Sequence, residues 1–185
     1  MNLQPFARYL ANYGETEARA LLAGSSLTAN VHGRALESDD RWQGCLVVPA
    51  FDESLDTLQK QIDALAAKQV LLILVINAPQ NAAPEALQRT QDLYNQITAA
   101  GYAYVIVVDR VSAPWRLNPK QGVGLARKIG TDLALALIEQ GRIHSPWILQ
   151  TDADVALPPT YTDLVNEVSQ QILSGVKIFP HTHFS

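Results

Sequence analysis

The chain has 185 residues, 48% of them hydrophobic and 17% charged, and a formal net charge of -4 at pH 7. That length suits one domain with a sizeable core, and the composition is that of a globular rather than a disordered chain. The acidic balance, without any basic stripe, argues against nucleic acid as a partner.

Residues 1–43 read as a short N-terminal helical extension and linker. Amphipathic spacing predicts helices around Phe6–Tyr13 and Glu15–Ala23, followed by a polar stretch from Ser25 to Gln43. From Gly44 a regular alternation of strands and helices begins. Cys45–Phe51 is a compact apolar run, predicted as a strand buried on both faces. Its cysteine, the only one in the chain, excludes an internal disulfide and reads as a small core residue rather than a nucleophile. Ser54 is placed to cap a helix carrying Leu55, Leu58, Ile62 and Leu65. Val70–Ile76 is a second buried strand. It is the longest apolar run and far too short to cross a bilayer; with no signal-peptide pattern, the expectation is no membrane span and a cytoplasmic location.

Pro84 suits the first turn of a helix bearing Leu87, Leu93, Tyr94 and Ile97, with Gly101 as its stop. Tyr102–Val108 is predicted as strand three. After a loop with Pro114 and Pro119, Gly122-Val-Gly124 opens a long helix marked by Ala126, Ile129, Leu133, Leu137 and Ile138. Trp147–Thr151 is strand four. Pro158 and Pro159 start a further helix with Leu164, Val165, Val168 and Ile172, and Val176–Phe179 is expected as strand five. The pattern predicts an α/β fold: a mostly parallel, Rossmann-like sheet with helices on both faces, formed by residues 44–185.

Ligands of open parallel sheets bind beyond the carboxyl ends of the strands. Polar residues follow each of the first four strands: Asp52-Glu53, Asn77, Asp109-Arg110, and Asp152-Ala-Asp154. Taken singly, each is explained by capping or turn formation; their shared edge argues for a site. Extended backbone at Asp152 and Asp154 would project both carboxylates to one side, two hard oxygen donors suited to Mg²⁺ or Mn²⁺. The competing reading gives Asp154 to the helix start before Pro158. Gly122 and Gly124 let a helix N-terminus approach an anion, with Lys120, Arg127 and Lys128 nearby. The alternative there is a solvated basic patch. No Gly-Lys-Ser/Thr follows, so this is not a P-loop.

Three segments together resemble the inverting family 2 glycosyltransferases: VVPAFDES (Val47–Ser54), GLARKIGTDLA (Gly124–Ala134) and LQTDADVALPPTY (Leu149–Tyr161), in the family's order. The resemblance implies the donor half of a GT-A fold that binds a nucleoside-diphosphate sugar of UDP or GDP type, with Mn²⁺ or Mg²⁺ as cofactor. By motif, Pro49, Ala50, Asp52 and Glu53 would line the nucleoside pocket, and Asn77 would face the base. Gly122, Gly124 and Arg127 would lie near the diphosphate or sugar. Asp152 would contact ribose or sugar and metal, and Asp154 would be the main metal ligand. Asp52 and Lys128 stand where the family has asparagine. The family places its acceptor pocket and catalytic base well after the D-x-D strand. With the sequence ending at IFPHTHFS, the acceptor half is expected to be missing, the acceptor and base are not identified, and His181 and His183 read as exposed end residues, with metal ligands or part of an acceptor pocket as the alternatives. The second reading is a non-catalytic remnant acting through partners, with a homo-oligomer expected from exposed apolar surface. A nucleotidyltransferase is disfavoured because PAFDES lacks a glycine.

Overall fold

A computed structural model describes residues 4–24, 28–33, 41–158 and 161. Helices α1 (Gln4–Tyr13) and α2 (Thr16–Leu22) precede β1 (Val31–His32), followed by β2 (Gly44–Ala50), α3 (Leu55–Ala67) and β3 (Val70–Asn77). Then come α4 (Pro84–Ala100), β4 (Val105–Arg110), α5 (Gly122–Glu139) and β5 (Ile148–Gln150). The expected helix after Pro158 and the strand at Val176–Phe179 lie outside the described residues, as do His181 and His183.

The local signals act as the chemistry requires. Ser54 accepts a hydrogen bond from the Thr57 backbone N–H at 3.3 Å and starts α3. Pro84 opens α4, and Gly101 ends it in the left-handed conformation at φ 59°. That turn delays the next strand. Tyr102–Tyr104 belong to the turn, and β4 begins at Val105 and runs on to Asp109 and Arg110, which pair with Ile76 and Asn77.

The sheet order is β1-β4-β3-β2-β5. The sheet is mixed, which corrects the expectation of a mostly parallel one. The pairings β4–β3, β3–β2 and β2–β5 are parallel, but β1 joins the β4 edge antiparallel, Val31 opposite Val108. This edge strand comes from the stretch expected to be a polar linker. Non-local pairing outweighs its weak strand signal, because the bare β4 edge would otherwise expose unpaired backbone groups. Gly33 ends β1 at φ 143°, and a Cβ there would stand 2.5 Å from the Val105 carbonyl oxygen, so glycine alone fits. Asn30 and Arg110 both reach Glu17 of α2, at 2.7 and 2.5 Å, tying the N-terminal helices to this edge.

Strand alternation splits the core into two layers. Leu46, Val48 and Ala50 of β2 and Leu72, Leu74 and Ile76 of β3 pack with Leu58, Ile62 and Leu65 of α3 and with Leu93 and Ile97 of α4. Cys45 and Val47, with Leu71, Ile73 and Val75, pack with α5 and with Leu10, Ala18 and Leu21 of α1 and α2. At Gly130 the α5 backbone comes so close that a Cβ would lie 2.4 Å from Val47 Cγ1. The chain runs outward from β2 through β3 to β4, then returns over the other face as α5 to place β5 beside β2. Strand order therefore reverses between β2 and β5, the position where open α/β sheets bind ligands. No described helix is long and apolar enough to cross a membrane.

Candidate functional site

At that reversal lies a cleft of about 340 Å³. Four connections build it. β2 contributes Pro49, Phe51 and Glu53, and β3 contributes Asn77 and Pro79. The loop before α5 adds Leu117, Pro119, Gly122 and Val123, and the segment after β5 adds Asp152, Ala153 and Asp154. Pairing straps the α5 loop down: Leu117 donates its N–H to Ala78 O at 3.0 Å, and Gln80 donates to Leu117 O at 2.9 Å.

Alternation decides which strand-end residues reach the cleft. Pro49 and Asn77 share the parity of Val47 and Val75 and sit on the α5 face. Ala50 has the opposite parity and is buried in the α3–α4 layer. Asn77 is only 6% exposed, and its Oδ1 has no hydrogen-bond partner. A buried amide oxygen left unpaired is costly unless something supplies a donor.

Asp52 also lies away from the cleft lining. It adopts φ 62°, a left-handed conformation that aspartate tolerates better than most residues. Its N–H donates to Thr90 Oγ1 at 3.0 Å, while its carboxylate takes both arms of the Arg89 guanidinium on α4, at 2.6 and 2.9 Å. That hydrogen-bonded pair holds the Asp52 carboxyl below its ordinary value. Asp52's charge is therefore answered outside the cleft, and the bend it makes delivers Glu53 to the cleft. Burial chiefly, and then the carboxylates of Asp154 and Asp52, push the Glu53 carboxyl above its ordinary value.

The helix start is open. Gln121 makes no side-chain cap on α5, Gly122 has φ 45°, and a Cβ at Gly122 or Gly124 would meet nothing within 4 Å. Two neighbouring cations behave differently. Arg127 pairs with Asp152 across the edge of the cleft. Lys128, one residue on, points to the N-terminal helices: its Nζ donates to Asp132 at 2.6 Å, the Tyr13 carbonyl at 2.8 Å and Glu15 at 2.9 Å. Burial alone would lower the Lys128 pKa, but the bonds to Asp132 and Glu15 outweigh it and raise it. Lys128 is thus a fastening between α5, α1 and α2. Arg110 and Asp109 are likewise engaged in structure, Arg110 with Glu17 and Asp109 Oδ1 accepting from the Val111 and Ser112 N–H groups at 2.9 and 2.8 Å.

Of the residues singled out from sequence, Pro49, Glu53, Asn77, Gly122, Asp152 and Asp154 are gathered around one cleft, with Arg127 bound to one of them. Ala50 and Asp52 are outside its lining, and Gly124 sits one residue past Val123 on the helix. Phe51, Pro79, Leu117, Pro119 and Val123 line the cleft without having been singled out. Phe51 and Val123 are exposed apolar side chains beside polar ones, a signal that only burial reveals. Among the described residues no three His, Cys, Asp or Glu side chains cluster to hold an ion by themselves. Asp152 and Asp154 are both exposed, and Asp154 has no hydrogen bond or ion pair among the described residues. Glu53 lines the same cleft, and Arg127 pairs with one of the two aspartates. A pair of carboxylates is a donor set that a hard divalent cation could use only by taking its remaining oxygens from water and a ligand.

A larger cavity of about 500 Å³ lies between α3 and residues 153–158. Its lining is mainly apolar, with Asp56 and Thr57 from the start of α3 and Asp154 shared with the smaller cleft. The smaller cleft lies at the strand-order reversal and holds the unpartnered Asn77 Oδ1, which makes it the better chemical site. The chain matches no protein-family model, no curated protein and no solved structure.

Proposed function

We propose that this chain is a glycosyltransferase-like, GT-A-type donor domain that binds a nucleoside-diphosphate sugar of UDP or GDP type together with Mn²⁺ or Mg²⁺. The observation that carries the reading is the convergence, at one strand-order reversal, of an acid pair, an open glycine-bearing helix start and a buried amide oxygen without a partner. Each has a counterpart in such a donor: a metal-bound diphosphate, phosphate oxygens, and an N–H or O–H of base or ribose.

In this reading Asn77 Oδ1 accepts from the nucleoside, and Glu53 accepts from base or ribose hydroxyls. Phe51 and Val123 cover an apolar face of the ligand and help exclude water. The first N–H groups of α5 and the Arg127 guanidinium bind diphosphate oxygens. Asp152 and Asp154 hold the cation. A divalent cation bound there supplies charge neutralisation on a departing diphosphate, the Lewis-acid contribution to glycosyl transfer. The residues' own part is to orient the donor so that an acceptor hydroxyl attacks the anomeric carbon. The reading covers the donor side of the reaction, and it goes with a cytoplasmic setting and no nucleic-acid partner.

Calorimetric titration with UDP, GDP and their sugars, with and without Mn²⁺, tests it. Metal-dependent binding of one nucleotide is expected, weakened about tenfold or more in Asp154→Ala, as loss of metal-site groups commonly does. An absence of metal-dependent binding to every nucleotide would overturn the proposal.

A further inference from the structure

Arg127 and Asp152 are 25 residues apart in sequence and meet across the edge of the cleft. Both remain open to water, the side chains 33% and 54% exposed, so the pair is exchangeable. Lys128 beside them is committed to three protein oxygens and has no such freedom. Asp154 is left unengaged among the described residues. An independent sign that the cleft takes a ligand is Asn77, which lines it with an unpartnered Oδ1 at 6% exposure.

We infer that Arg127 is a latch on Asp152. In the free protein its guanidinium occupies the carboxylate that a divalent cation needs. A nucleoside diphosphate draws the guanidinium to its own oxygens and releases Asp152. Metal and diphosphate must both break the same ion pair, and whichever arrives first has already broken it for the other. Each therefore strengthens the other's binding, by reciprocal amounts. The inference rests on the donor-site reading and adds a coupling to it: cation and diphosphate each bind weakly alone and firmly once the other is bound.

The test measures Mn²⁺ affinity by the loss of free-ion electron paramagnetic resonance signal, with and without UDP and GDP. The proteins are wild type, Arg127→Gln and Lys120→Gln, each checked for folding by circular dichroism. Lys120→Gln removes the same charge from the turn before α5 without touching the pair. Arg127→Gln should bind Mn²⁺ alone about two- to fivefold tighter than wild type, the range an exposed ion pair commands. Its gain in Mn²⁺ affinity on adding nucleotide should be smaller by the same factor, while Lys120→Gln should follow wild type. Unchanged Mn²⁺ affinity in Arg127→Gln, or an equal gain in Lys120→Gln, would overturn the latch while metal-dependent nucleotide binding by wild type leaves the donor site standing. No metal-dependent nucleotide binding by wild type overturns the donor site and the latch together.

Discussion

Gly130→Ala probes the contact that sets the height of α5 over the sheet. A Cβ at this position would lie 2.4 Å from Val47 Cγ1 and 3.1 Å from Val75 Cγ2. The first distance is below what real Cβ atoms adopt, and neither neighbour can easily withdraw, because a buried valine is stiff at χ1. Val47 and Val75 are both fully buried, on adjacent strands. Overpacking of this kind costs about 1–3 kcal/mol, and the better helix propensity of alanine returns about 1 kcal/mol. A contact as short as 2.4 Å places the overpacking in the upper part of that range, about 2–3 kcal/mol. A net loss of about 1–2 kcal/mol is therefore expected, a fall in Tm of roughly 2–8 °C for a chain of this size. Urea and thermal unfolding would measure it. Val47→Ala, costly alone, removes the offending methyl, so the double variant should lose less than the two single variants together. Gly130→Ala at or above wild-type stability, or strictly additive losses, would refute the close approach of α5 to β2.

Three further outcomes are expected. Ser54→Ala should cost about 1 kcal/mol in urea unfolding through loss of the α3 cap, as the bond to the Thr57 N–H disappears. The Glu53 carboxyl, titrating above its ordinary 4.5, contributes stability that is full below 4.5 and lost as pH rises through the raised value. Asp154→Asn should move the Glu53 carbon-13 titration back toward 4.5 without reaching it, because burial is the larger cause and persists; an unmoved titration would deny that Asp154 faces Glu53. Burial pushes the Cys45 thiol up to about 12, so a thiol reagent at pH 8 should label the chain only on unfolding.

Much of the site was legible because its chemistry is local. Acids and an amide directly after apolar runs mark strand ends, and a glycine pair before an apolar helix marks an open helix start. Ala50 and Asp52 were named with these and lie elsewhere, for reasons no local pattern carries. β2 is buried along its whole length, so its sequence has no polar face to show which parity points to the cleft. Asp52's partner, Arg89, is 37 residues away on a helix packed against the other face. Arg127 and Lys128 are adjacent and both basic, yet one meets Asp152 and the other meets Glu15 and Asp132. Their separation around the helix, about 100°, matters only once the neighbours are in place.

The sequence by itself determined the elements: two long buried strands from uninterrupted apolar runs, and helices bounded by Ser54, Pro84 and Gly101. Those signals act within a few residues, through backbone sterics, caps and side-chain periodicity. Only the tertiary structure decided the order of the strands, the antiparallel β1 on the β4 edge and the return of β5 to the side of β2. These depend on pairings between distant segments, each chosen by which bare edge and which apolar face remain to be covered. The cleft exists because of that last choice, since Asp152 and Asp154 come beside Glu53 and Asn77 only when β5 pairs with β2.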